Sequence, residues 1–245
     1  MKTDKAYKLL ALQENISNNQ AKDLIDRGLV YVGMKKVMIA RGELDLKTNF
    51  RVNKVEKITP IFEDDNLIVI DKPAFVNSDE IERQFEGAHL LHRLDRETSG
   101  VLMLVKNEAF QKEAITAFKR DKVYKEYVAW VEGIMIDEMV IDKPIITEKR
   151  GGKAYSKISK QGKPAITEVY PELVSGKKTK LKLIIHHGRT HQIRTHLRSI
   201  DHPIVGDEQY GGRRYDRVML HAKKVELLGY RFEAPEPKVF AHFAS

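Results

Sequence analysis

The chain has 245 residues, 42% hydrophobic and 32% charged, a size and composition that suit one large globular domain plus a small one. It contains no cysteine, which excludes disulfides and thiolate metal sites; no run nears the roughly 18 apolar residues of a membrane span, and the polar start Met1-Lys2-Thr3-Asp4-Lys5 lacks a secretory signal, so a reducing cytoplasm is the expected setting. A net charge of +8 favours partners that carry phosphates, nucleic acid foremost, although a merely soluble basic protein has the same balance.

Residues 1–55 hold 11 Lys/Arg against 6 Asp/Glu and read as a compact α/β module. Asp4 to Gln13 reads as a short helix with Tyr7, Leu10 and Ala11 on one face. Ser17 and Gln20 have the spacing of a capping box, opening a second helix through Ala21, Leu24 and Ile25 that stops at Gly28. Leu29 to Val32 then reads as a strand, turned by Gly33-Met34-Lys35-Lys36 into a second strand, Val37 to Ile39. Lys22 and Arg27 on the second helix, with Lys35 and Lys36 at the turn, form a candidate phosphate-contacting face. A solvated helix face beside a polar turn accounts for them equally well.

Residues 56–245 read as a second domain. Ile58–Phe62 and Leu67–Ile70 form a hairpin across Asp64-Asp65-Asn66. Residues 74–89 show no clear period and read as loop or short irregular helix. His89–Leu94 and Val101–Val105 are two strands joined by a loop that carries Asp95. Glu108–Arg120 is a helix burying Phe110, Ala114, Ile115 and Phe118, and Val123–Val131 a long strand ending at Gly133. Segment 146–163, rich in Lys, Gly and Ser, reads as a mobile loop. Val169–Leu173 and Lys180–Ile185 make a further hairpin. A short helix follows Gly188, with Ile193 and Leu197 at the i, i+4 spacing, and Met219–Leu228 and Tyr230–Phe232 supply late strands. Many strands with few short helices predict an α+β fold built on a mixed, mostly antiparallel sheet with flanking helices.

Three clusters carry the chemistry. In His92-Arg93-Leu94-Asp95-Arg96-Glu97-Thr98-Ser99-Gly100 a carboxylate lies between two guanidinium groups, which favour its charged form. Thr98-Ser99-Gly100 can turn the backbone and offer hydroxyls and amides beside it. An isolated loop aspartate more often pairs with an arginine for structure alone. In Lys122–Gly133, Tyr127 can stack on a base and offer a hydroxyl, though a core tyrosine is the commoner fate of a strand aromatic. In Gly188–Arg198, Gly188 is expected to open a helix whose N-terminal amides suit an anion. There His191, Arg194 and Arg198 share one side, and Arg194 is placed to meet a carboxylate on a neighbouring strand. His187, His191 and His196 lack metal-ligand spacing, so no metal is expected.

Taken in this order, the three clusters resemble the RluA-type pseudouridine synthase family. Asp71-Lys72-Pro73, His202-Pro203-Ile204-Val205-Gly206-Asp207 and Met219-Leu220-His221-Ala222 add to the likeness. Residues 1–55 resemble a ribosomal-protein-type RNA-binding module often found N-terminal to these enzymes. Two stretches depart from the pattern: Phe75 and Asn77-Ser78-Asp79 replace the usual glycine and His-Pro, and Gly33-Met34 replaces Asn-Gly at the hairpin turn. The resemblance implies isomerisation of uridine to pseudouridine within RNA, with Asp95 as catalytic residue, Arg194 holding it, and Tyr127 stacking on the base. Asp95 either attacks the ribose or removes a sugar proton to give a glycal. His92, Arg93, Arg96, Thr98, Arg189, His191 and Gln192 become candidate substrate contacts. No cofactor is implied, since the reaction has no redox step. Large-subunit ribosomal RNA is the expected target, with transfer RNA as alternative, and the protein is expected to act as a monomer. Two other readings remain: a non-catalytic RNA-binding or ribosome-assembly factor, and a glycosidase of free nucleosides.

Overall fold

In the computed structural model, the described residues are 2–26, 28–33, 35–52, 58–150 and 153–243, with the side chains of 150 and 153 outside the description. They form two compact units, 1–57 and 58–245.

The first unit begins with β1 (Thr3–Lys5), which pairs antiparallel with β4 (Glu43–Asp45). That pairing takes the first residues expected to be helical, so α1 runs only over Ala6–Glu14. The predicted capping box is present: Ser17 N–H donates to Gln20 Oε1 at 2.9 Å and Gln20 N–H to Ser17 Oγ at 3.2 Å, opening α2 (Asn18–Asp26). Leu10, Ala21 and Ile25 are buried against Val30 and Phe50. A three-stranded sheet has β2 (Val30–Val32) between β3 (Lys35–Lys36) and β5 (Arg51–Val52). The second hairpin strand is thus Lys35–Lys36 and not Val37–Ile39, whose Met38 and Ile39 are exposed.

The second unit is α+β. Its main sheet has ten strands in the order β11-β14-β15-β10-β16-β9-β7-β6, with β17 beside β16 and β8 beside β9. In chain order these are β6 (Phe62–Glu63), β7 (Leu67–Lys72), β8 (His89–Leu90), β9 (Ser99–Val105), β10 (Tyr124–Glu132), β11 (Met139–Asp142), β14 (Ile166–Ser175), β15 (Lys178–Ile185), β16 (Leu220–Leu227) and β17 (Tyr230–Glu233). Every described pair in it is antiparallel except β9 with β16, where His221 faces Ser99 and Ala222 faces Gly100. Leu67–Ile70 of β7 and Val101–Val105 of β9 are continuous apolar runs because both faces are covered. Leu67, Val69, Val101 and Met103 pack on one side with Ala114 and Ala117 of α4 (Glu108–Lys119). Ile68, Ile70, Leu102 and Leu104 pack on the other with Ile81 of α3 (Ser78–Glu82) and Leu94. On α4 the expected Ala114, Phe110 and Phe118 face the core, but Ile115, also expected there, is exposed. Trp130 anchors a further core with Leu181, Leu183, Ile193, Leu197 and Ile204.

Two expectations are corrected. Segment 146–163 is largely a hairpin, β12 (Ile145–Arg150) with β13 (Lys153–Ile158) in the register Ile145 to Ile158. It is fastened to the body by Ser156 Oγ–H donating to the Thr190 carbonyl at 2.7 Å. The helix expected from Gly188, α5, spans Gln192–Arg198. Gly188 therefore does not place its amides at a helix N-terminus.

Candidate active site

β9 enters the sheet parallel to β16, and the chain reaches it through the loop 91–98. Gly100 makes the approach possible: it has φ +113°, and a Cβ there would lie 2.1 Å from the Ala222 carbonyl oxygen. The loop turns where Thr98 N–H donates to the Asp95 carbonyl at 3.0 Å. It is strapped from below by the stretch after β7. Lys72 Nζ, fully buried, donates to the carbonyls of Pro73 (3.0 Å), Val76 (2.7 Å) and Arg96 (3.3 Å). Phe75 N–H donates to the Arg96 carbonyl at 2.6 Å. Ser78 Oγ accepts the Leu94 N–H and donates to the Leu94 carbonyl, both at 3.1 Å. Burial pushes the Lys72 ammonium down to about 7 against the pull of Glu97 and Asp95.

α5 delivers Arg194 to this loop. Nη1 donates to Asp95 Oδ2 at 3.1 Å, while Nε and Nη2 clamp Asp207 Oδ2 and Oδ1 at 2.7 and 2.8 Å. Arg194 and Asp207 are buried, whereas the Asp95 side chain keeps 25% of its surface exposed. Burial disfavours the guanidinium charge, but the hydrogen bonds and charge of Asp207, together with Asp95, outweigh it and raise the Arg194 pKa. Tyr127 is half-buried beside these residues; burial, and then the charge of Asp95, raise its phenol pKa, so it carries its proton at neutral pH. His191 Nε2 lies 3.8 Å from Asp95 Oδ1. The structure thus brings together four sequence candidates: Asp95, Arg194, Tyr127 and His191.

The other candidates point elsewhere. His92 Nε2 accepts the Met103 N–H at 3.2 Å, and burial followed by the Lys125 charge lowers its pKa to about 4. A neutral, strand-bound ring is not a cationic phosphate contact. Thr98 is buried, and Gln192 is buried with its amide spent on the Ile166 carbonyl and Thr167 Oγ1. Arg93 is exposed and pairs with Asp79 at 2.8 Å. Arg189 Nε donates to the Pro164 carbonyl at 2.9 Å. Arg96 is half-buried in the loop, its carbonyl bonded to Lys72 and Phe75. Arg198 pairs with Asp201 on the surface. In the first unit, Lys22 lies over the Tyr7 ring at 4.4 Å, and Lys36 and Arg51 lie over Tyr31 at 5.8 and 5.3 Å. Lys35 is exposed, and Arg27 lies outside the described residues.

Sequence reasoning assigned no role to Lys72, Asp207, Tyr210 or Ser156. Asp207 and Lys72 sit in strings that carry the family likeness, but their partners are distant in the chain. Among the described residues, no group of three or more His, Cys, Asp or Glu is arranged to hold a metal ion, and no helix is long and apolar enough to cross a membrane.

Residues 66–199, over half of the chain, match the family described as RNA pseudouridylate synthase. An "Uncharacterized RNA pseudouridine synthase" of Helicobacter pylori is 53% identical, covering 97% of this chain and 99% of the relative. "Ribosomal large subunit pseudouridine synthase D" of Pasteurella multocida is 28% identical over 84% of this chain and 72% of its own. Among solved structures, "Human RNA Pseudouridylate Synthase Domain Containing 1" aligns with a TM-score of 0.66 and 29% identity, covering 78% of this chain and 87% of that one. The sheet that presents the Asp95 loop to Arg194 is therefore a family scaffold, and the chain belongs to the RNA pseudouridine synthases.

Proposed function

We propose that Asp95 is the catalytic residue of a uridine isomerisation in large-subunit ribosomal RNA, with Arg194 as its ion-pair partner and Tyr127 against the base. The observation that carries this reading is the 3.1 Å contact from Arg194 Nη1 to Asp95 Oδ2 on a carboxylate that remains partly open to solvent. Breaking the N1–C1′ bond builds positive character on the sugar, and an anionic carboxylate beside it stabilises that charge. The uracil then turns and rejoins the ribose through C5, and the hydrogen of C5 leaves to solvent. The uridine must leave its stack to reach Asp95, and the Tyr127 ring offers a surface for the extruded base.

The ribosomal target rests on the printed names of relatives such as the Pasteurella multocida protein. Lys22, Lys35 and Lys36 of the first unit, with Arg27 by sequence, contact phosphates of the same RNA. The protein acts as a monomer in the cytoplasm, where its RNA substrate lies. Site-resolved pseudouridine mapping of cellular RNA tests the reading. Cells lacking the protein lose pseudouridine at one or more large-subunit positions, and wild type but not Asp95→Asn restores it. Loss confined to transfer RNA would redirect the substrate, and restoration by Asp95→Asn would remove Asp95 from the chemistry.

A further inference from the structure

His191 stands directly before α5 with φ 52° and ψ 28°, a left-handed conformation that a residue with a Cβ adopts only when its surroundings hold it there. Its side chain makes no capping bond to the helix. The ring instead meets Tyr210: Nδ1 is 2.8 Å from Tyr210 Oη, and the two rings stand perpendicular with centroids 5.6 Å apart. Tyr210 is itself fixed, buried against Tyr155 at 5.3 Å and under the Arg194 guanidinium at 5.0 Å. Its Oη already accepts the Ser156 N–H at 2.8 Å, so the hydroxyl proton is free to go to His191 Nδ1. A neutral imidazole that accepts at Nδ1 carries its proton on Nε2. Burial keeps this ring neutral against the carboxylates of Asp95, Asp207 and Glu97, with Arg194 acting in the same direction as burial. Nε2 faces Asp95 Oδ1 at 3.8 Å, the oxygen that Arg194 leaves open.

We infer that His191 is a positioning residue for Asp95, oriented by Tyr210. Its Nε2–H closes onto Oδ1 when a nucleotide fills the cleft, fixing one carboxylate oxygen as Arg194 fixes the other. Hydrogen bonds of this kind are often long in the empty enzyme and tighten with substrate. The inference rests on Asp95 as the reacting carboxylate. The hairpin β12–β13 is thereby given a role in turnover, because its Ser156 amide sets the direction of the Tyr210 hydroxyl.

The test uses the full chain and total RNA from cells lacking this protein, labelled with uridine tritiated at C5. Tritium release is followed under single turnover. His191→Ala lowers the saturating rate about 10- to 100-fold, while the melting temperature and the half-saturating enzyme concentration stay unchanged. His191→Gln bears the same backbone strain as alanine but keeps an N–H donor, and it recovers part of the rate. Tyr210→Phe is also slow, and the double variant Tyr210→Phe/His191→Ala is no slower than His191→Ala alone, because the two residues act as one unit. A wild-type rate in His191→Ala or in Tyr210→Phe, a glutamine variant as slow as alanine, or additive losses in the double variant overturns the inference. Tritium release by Asp95→Asn at the wild-type rate overturns instead the reading of Asp95 on which it rests.

Discussion

Arg194 serves two carboxylates, and the two contacts differ in kind. The bidentate clamp on Asp207 is buried and holds the guanidinium plane; the single bond from Nη1 reaches Asp95, whose side chain is partly open to solvent. A lysine has neither the fork nor the reach for three such bonds. Arg194→Lys should cut turnover on the order of 100-fold, through misplacement of Asp95, with a moderate fall in melting temperature. Arg194→Ala leaves the 1%-exposed Asp207 side chain unpaired, and should cost about 3–5 kcal/mol of stability in urea unfolding. Equal stability of the alanine variant and wild type would contradict the burial argument. Lys72 works from beneath the loop. Lys72→Met keeps the length but takes the ammonium donor from the Pro73 and Val76 carbonyls, while the Arg96 carbonyl keeps the Phe75 N–H. A loss of at least about 2 kcal/mol is expected, with reduced turnover. The Arg194–Asp95 pair was legible in the sequence through the motifs; the roles of Lys72 and Asp207 were not, because their partners are distant in the chain until the fold brings them together.

At the level of elements, the parallel contact of β9 with β16 is a tight constraint. Gly100→Ala requires both a positive φ and overlap with the Ala222 carbonyl, so it should abolish soluble, folded protein or shift the Asp95 loop enough to silence it. Thermal melting and tritium release together distinguish these outcomes, and a stable, active Gly100→Ala protein would refute the close approach. Periodicity revealed β10, α4 and the β14–β15 hairpin well, because each alternates or repeats apolar residues over many positions. It missed β12 and β13 because the Lys-, Gly- and Ser-rich segment 146–163 around them has the composition of a loop, and their stability comes from pairing with each other and from Ser156 holding α5's entry. It also started α5 too early, since the left-handed His191 interrupts the chain just where a helix was expected. The segment 74–89, without period in the sequence, turned out to contain the short α3 and the Ser78 strap on Leu94. Motif order exposed Asp95 and Arg194; only the fold exposed Tyr210 between Ser156 and His191.

Across the whole molecule, the fully buried His221 and the half-buried His92 make stability depend on pH. Burial lowers His92 and His221 from 6.5 to about 4, and His221 is held neutral between Ser99 Oγ at 2.8 Å and the Ala234 carbonyl at 3.3 Å. Between those two pH values the unfolded chain binds protons that the folded chain refuses, so stability rises with pH through the window and is lost as pH falls through it. His221 alone should contribute on the order of 3 kcal/mol of this loss, and His221→Asn should flatten the dependence. Urea unfolding from about pH 7 to about pH 4.5 reads it directly; a flat profile in wild type would contradict the buried, neutral rings. The basic first unit should be felt through salt. Lys22→Glu with Lys36→Glu should weaken RNA binding and reduce its salt dependence by about one counterion per lost contact, with only a small fall in melting temperature from the lost contacts to Tyr7 and Tyr31. Under the proposed function, both units serve to bring the Asp95 carboxylate to a uridine of the bound RNA. The most direct measurement is tritium release from C5-labelled RNA by Asp95→Asn, purified beside wild type and matched to it in melting temperature and RNA affinity. The expected result is binding without release; release at the wild-type rate would contradict the account.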